Sequence, residues 1–255
     1  MLTEVPKSTP PESLSEDSFL NGSIIIRQPV NGYRAGIDPV MLAASVNARP
    51  GDRVLEAGAG HGTAGICLAR RAPNCSVTGI EIQPDMVRLA NDNARLNGLT
   101  DNVQVMIGDL ERPLPRVAAG SFDHAIANPP FLRNDDANSS PDLGRATANS
   151  EGEAGLSDWI GFLLRMVRAE GTITLIHRAD RLDEILSLMQ GKAGEITVFP
   201  LWPKRGVAAK RVIIRARKDI RTPLVMLPGL VLHEEDGNYT EQADAILRGG
   251  ACPLK

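Results

Sequence analysis

The chain has 255 residues and a formal net charge of −3, with 42% hydrophobic and 23% charged residues, the balance of a globular protein long enough for one sizeable core. Its aromatics are only five Phe, two Trp and two Tyr, so the core must be aliphatic. The charge argues against a uniformly basic nucleic-acid coat and against general membrane adhesion. No apolar run nears the ~18 residues of a bilayer span, and Cys67, Cys75 and Cys252 lack metal-ligand spacing. Disulfide scaffold, membrane and metal classes are thereby disfavoured, and a reducing cytoplasm fits.

In chain order, residues 1–20 are polar and rich in Pro and Ser, which reads as a disordered tail; residues 21–255 read as a single domain. A short apolar strand candidate spans Ser23–Arg27. Asp38 followed by Pro39 reads as an N-cap and first helical position, opening a helix to about Val46. Strands and helices then alternate: strand Arg53–Glu56, helix Thr63–Arg71, strand Ser76–Ile82, helix Pro84–Asn97, and strands Val103–Ile107 and Phe122–Ala127. A polar stretch, Leu132–Ala154, has no periodicity and reads as a lid, a binding loop or a disordered segment. Beyond it come helix Asp158–Ala169, strand Thr172–His177, helix Arg181–Gln190, strands Ile196–Phe199 and Arg211–Ala216, a turn at His233–Asn238 and a short helix Thr240–Leu247. The pattern predicts an α/β fold: a Rossmann-like, seven-stranded, mostly parallel sheet with helices on both faces.

Two strand ends carry chemistry. The first runs into Glu56-Ala57-Gly58-Ala59-Gly60-His61-Gly62 and opens a helix, where glycines allow a sharp turn and close approach of a ligand. A dinucleotide fingerprint needs Gly at 63, where this chain has Thr63, and no P-loop lysine follows. The spacing resembles that of S-adenosylmethionine-dependent methyltransferases of the Rossmann type. Glu56 would then face the cationic methionine end, in part through water. Glu81, 21 residues after Gly60, would accept the ribose hydroxyls, Ile82 would pack on the adenine, and Asp109, followed by Leu110, would accept from the adenine amine. A turn without a ligand explains any one of these residues; three acids at successive strand ends around one glycine loop point to a cofactor site.

The fourth strand ends in Asn128-Pro129-Pro130-Phe131. The prolines stop the strand and offer no N–H, so the turn presents acceptors, the Asn128 amide oxygen and the Pro129 carbonyl, beside the Phe131 ring. An exocyclic amine has its lone pair delocalised into the adjacent ring. Two acceptors gripping its hydrogens favour pyramidal nitrogen and aim the lone pair at the methyl group, without a mandatory base. Phe131 would stack on an extruded or unpaired base. His61 and His177 read as loop and strand-end residues.

With both motifs in hand, the chain resembles class I amino-methyltransferases carrying the N-P-P-[YF] motif. It is similar in particular to the bacterial tRNA(Val) adenine-N6 methyltransferase family. The likeness extends to Gly36-Ile37-Asp38-Pro39-Val40-Met41-Leu42-Ala43 and to Asn238-Tyr239-Thr240-Glu241. It implies S-adenosylmethionine as cofactor, a tRNA adenine N6 near the anticodon as target, and an approach of Asp38 to cofactor or target. It also implies that Asn128 to Phe131 hold the amine, with Asn128 bordering the cofactor.

An RNA partner fits one further feature. Between Leu201 and Arg221 stand Lys204, Arg205, Lys210, Arg211, Arg215, Arg217, Lys218 and Arg221 against Asp219 alone, a net of +7 that leaves −10 for the rest. Such a stripe can neutralise phosphates, or merely guard an exposed strand edge. Protein-glutamine N5 methylation, rRNA or DNA amino-methylation, and a non-catalytic RNA-binding protein of the same fold stay open, as does the choice between monomer and homodimer.

Overall fold

A computed structural model describes residues 13–112, 114–131 and 154–254. The polar stretch from Leu132 lies outside them except for Ala154.

The expected tail ends early. Leu14–Phe19 forms β1, antiparallel to β2 (Ile24–Pro29), closed by a turn with positive φ at Leu20, Asn21 and Gly22. The polar residues of β1 are used rather than solvated: Asp17 accepts from Gln28 and from Arg34. The other edge of β2 is covered by side chains. Asn93 gives an acceptor to Arg27 N and a donor to Arg27 O, both at 2.9 Å, and Asn97 does the same for Ile25. These two asparagines stand one turn apart on α3 (Pro84–Leu96) and its C-cap, so they substitute for the neighbouring strand that β2 lacks.

The remaining elements follow the expected alternation: α1 (Asp38–Ala44), β3 (Arg53–Ala57), α2 (Thr63–Arg71), β4 (Ser76–Glu81), then α3, β5 (Val103–Ile107) and β6 (Phe122–Ala127). After the undescribed stretch come α4 (Leu156–Met166), β7 (Val167–Arg178), α5 (Leu182–Met189), β8 (Ala193–Trp202), β9 (Arg211–Lys218), the two-residue strands β10 (Val225–Met226) and β11 (Leu230–Val231), and α6 (Glu241–Leu247). Thr240 caps α6, its hydroxyl accepting from Ala243 N. Asp38 is not the expected cap: Ile37 occupies that position and no side chain caps α1. The Asp38 carboxylate is drawn instead to Arg211.

The main sheet has the order β10-β8-β9-β7-β6-β3-β4-β5, with β11 also beside β8. Seven of these strands are the full ones expected, and β10 and β11 are short additions at the edge. Only β9 runs against the others. Alternate residues of each strand enter two apolar clusters. Val54, Ile126 and Ile213 pack with α1, α2 and α6 on one face, and Leu55, Ala125 and Ile214 with α4 and α5 on the other. Burial of both faces explains why β3 shows no polar alternation after Arg53. The cysteines are free and buried, Cys67 as a small core residue.

Candidate active site

The order reverses between β3 and β6, and such a switch point opens a crevice at the carboxyl ends of parallel strands. Register brings the two motifs together there. Ala57 pairs with Ala127, so the next residues, Gly58 and Asn128, leave the sheet side by side. Ala57 also pairs with Ile80, and Glu81 with Ile107, which aligns the acidic strand ends along the same edge.

Gly58, Gly60 and Gly62 all take positive φ. At Gly58 the reason is packing as well as turning, because a β-carbon would lie 2.3 Å from the Trp159 ring of α4. At Gly60 the space is open: apart from its chain neighbours, a β-carbon would meet no atom of the described residues within 4 Å. The loop is fixed to its neighbour by Glu81, whose carboxylate accepts from Gly60 N and Gln83 N, each at 2.9 Å. Burial raises the Glu81 pKa. Asp109 folds into its own turn, accepting from Glu111 N and pairing with Arg112, while the Leu110 carbonyl accepts from Arg165. Ile82 and Ile107, 60% and 61% exposed, leave apolar surface at this edge.

Glu56 is turned beneath the loop rather than into the open. It is 5% exposed, and its Oε2 accepts from Gly65 N at 2.9 Å, satisfying a donor that the first turn of α2 leaves unpaired. Burial pushes its carboxyl up to about 8.

The Asn128 side chain donates from Nδ2 to the Tyr33 phenol oxygen at 3.2 Å, while its Oδ1 is shielded from solvent with no partner among the described residues. A buried acceptor left unpaired costs about 1–3 kcal/mol, so an orphan beside a cleft points to a donor brought by a ligand. The Tyr33 ring stacks on His61, centroids 5.9 Å apart at 19°. His61 in turn bonds Thr63 through Nδ1 and, through its carbonyl, accepts from Asn93. His177 meets the motif from the other side: its Nε2 lies 3.3 Å from the Pro130 carbonyl and its ring packs edge-on to Phe131 at 5.5 Å. Burial pushes both histidines down to about 4, so each is a neutral strut at ordinary pH. The Arg211 guanidinium lies over the Phe131 ring, 4.3 Å from its centroid, and pairs with Asp38 at 3.2 Å. Burial raises the Asp38 pKa and Arg211 opposes it. Tyr33, Asp38, Phe131, Lys210 and Arg211 share one cleft of about 690 Å³.

Tyr33, one residue after Gly32 in the segment between β2 and α1, was given no task from sequence. Its signal was scarcity, one of two tyrosines in the chain, and it became meaningful only once Asn128 was beside it. The basic stripe, by contrast, does not form one surface. Arg211 pairs with Arg178 and Leu201 at the carboxyl edge, whereas Arg217 pairs with Thr172 and Lys218 with Ala193 at the opposite edge. Arg215, between them, donates to the Leu254 carbonyl. Lys204 donates to the Glu235 carbonyl, Arg205 is exposed in the loop between β8 and β9, and Lys210, exposed at the end of that loop, lines the cleft.

The parallel sheet with β9 reversed, and a ligand edge at its switch point, place this protein among the class I S-adenosylmethionine-dependent methyltransferases. The chain belongs to the methyltransferase domain family, whose profile matches residues 48–188. It is 27% identical over 212 residues to the tRNA1(Val) (adenine(37)-N6)-methyltransferase of Actinobacillus pleuropneumoniae, covering 82% of this chain and 86% of that one. It is 28% identical over 222 residues to the Porphyromonas gingivalis protein of the same name, covering 82% and 85%. Among solved structures, a predicted O-methyltransferase from Agrobacterium tumefaciens superposes with a TM-score of 0.71 at 24% identity, over 84% of this chain and 97% of that one. An O-methyltransferase from Thermotoga maritima gives 0.54 at 18%, over 75% and 68%. These two likenesses concern the fold.

S-adenosylmethionine is the cofactor, and the residues present fit it. The open cradle at Gly60, the carboxylate of Glu81 and the bare faces of Ile82 and Ile107 offer a polar and an apolar side at the same edge. None of the described helices is long and apolar enough to cross a membrane, and no described cluster of His, Cys, Asp or Glu could hold a metal ion.

Proposed function

We propose that this enzyme methylates N6 of an adenine in RNA, with tRNA the substrate class. The observation that carries the reading is the Asn128 Oδ1, without a partner among the described residues, just beyond the end of β6 and next to the glycine loop. In this reading Asn128 Oδ1 and the Pro129 carbonyl accept the two N6–H groups, which localises the nitrogen lone pair. The Phe131 ring takes the face of the extruded base, and His177 and Arg211 hold that ring in place. Gly58, Gly60 and Gly62 with Ala57, Glu81, Ile82, Asp109 and Leu110 form the cofactor wall. Glu56 acts there through the loop it supports, and Asp38 borders the target side. S-adenosylmethionine supplies an electrophilic methyl group when bound. Lys210 and Arg211 at the cleft, with Arg205 and Lys204 in the adjoining loop, take RNA phosphates. The relatives at 27–28% identity support tRNA over protein or DNA.

The test is incubation with labelled S-adenosylmethionine and, separately, tRNA, rRNA, DNA and protein, followed by nucleoside analysis. Label in N6-methyladenosine from tRNA is the expected result; label in another pool or nucleoside overturns it. Asn128→Ala is expected to lower methyl transfer by at least on the order of a hundredfold while cofactor binding stays intact. Normal turnover by that variant rejects the amine grip.

A further inference from the structure

An asparagine amide is nearly symmetric in shape, and turned by half a rotation it would point two donors at the target amine instead of an acceptor. Something must hold it the useful way round. Among the described residues, the Asn128 side chain donates outside its own motif, from Nδ2 to the Tyr33 phenol oxygen at 3.2 Å.

We propose that Tyr33 is a positioning residue for methyl transfer: its oxygen accepts the Asn128 Nδ2–H and so keeps the Asn128 carbonyl facing the target. The proposal rests on the reading of Asn128 given above. Three features make Tyr33 able to do this. Its ring is held flat on His61, so the phenol oxygen has a defined height above the glycine loop. The backbone on its far side is clamped, since Arg34 donates to Ser15, Asp17 and the Pro29 carbonyl, and Gln28 accepts from Ala35 N. Asp38 and Glu56 both act on the phenol, which burial already holds well above its ordinary pKa. The phenol therefore stays neutral, and its oxygen keeps a lone pair that accepts the Asn128 Nδ2–H. The β1–β2 hairpin thereby reaches the chemistry through one residue.

The test uses the full chain with labelled S-adenosylmethionine and bulk tRNA. Tyr33→Phe keeps the stacked ring and removes only the oxygen. It is expected to lower kcat roughly five- to tenfold, with KM for tRNA and Kd for the cofactor changed by less than about twofold. An unchanged kcat overturns the proposal. So does a loss shared equally by kcat, cofactor binding and thermal stability, which would mark a structural role. A second readout does not depend on turnover. In isotope-labelled protein, the Asn128 Nδ2 resonances are expected to shift and exchange faster in Tyr33→Phe than in wild type; identical resonances overturn the proposal even if no RNA is methylated. If Asn128→Ala turns over normally, the amine grip fails; if it is inactive while Tyr33→Phe is fully active, only the Tyr33 proposal fails.

Discussion

Glu56 shows how one buried carboxylate can serve the fold ahead of the ligand. It caps the first turn of α2 from the preceding strand, and burial shifts its carboxyl from about 4.5 to about 8. A group whose pKa is raised on folding stabilises fully below its unfolded pKa, and that contribution is lost as pH rises through the folded value. Glu56→Gln keeps an acceptor for Gly65 N and removes the titration. The variant is therefore expected to gain on wild type progressively from pH 4.5 and to level off above about pH 8, by up to a few kcal/mol. Denaturant unfolding across that range measures it, and a difference independent of pH would show that Glu56 does not hold its proton. From sequence, Glu56 was visible as an acid at a strand end. Its inward direction was not, because the position of α2 above β3 decides which way the carboxylate finds a donor.

At the scale of elements, the strand expected at Ser23–Arg27 is β2, and its partner β1, within the expected tail, is the main departure from expectation. Its residues are polar enough to read as a tail, since β1 buries little of itself. The hairpin is ordered by partners far along the chain: Asn93 and Asn97 on one edge of β2, and Arg34 and Gln28 on the inner face of β1. Asn93 is fully buried and also donates to the His61 carbonyl, tying the hairpin to the glycine loop. Asn93→Ala strands three backbone groups and is expected to cost about 2–3 kcal/mol in thermal or chemical unfolding. Asn97→Ala, at a half-buried position, is expected to cost less, about 1 kcal/mol. Equal effects would mean that burial does not govern these contacts. The strands and helices of the sheet were legible because their apolar periods are local. β1 was not, because it is polar and the hairpin it completes is anchored by residues more than sixty positions away.

Over the whole molecule, the sheet sorts one basic segment into two places. Lys210 and Arg211 line the cleft and Arg205 is exposed in the loop before them, while Arg217 and Lys218 cross to the far edge and are engaged by Glu195, Glu170 and the Val167 carbonyl. Reversing Arg205 and Lys210 to Glu is expected to weaken RNA binding and lower its salt slope by roughly 0.7–0.9 per lost phosphate contact. Arg217→Ala is expected to leave the slope alone; the opposite pattern, read from binding isotherms in a salt series, would move the RNA to the far edge. A +7 count along the chain carried no such distinction, because an antiparallel strand of eight residues spans the sheet from one edge to the other. Sequence alone determined the alternating fold, the glycine loop and the NPPF turn, since each rests on residue types at short spacing. Tertiary packing decided that Ala57 and Ala127 would be neighbours, that Tyr33 would reach Asn128 across 95 residues, and that Glu56 would turn inward. Those outcomes come from strand order and helix placement, which no local spacing encodes.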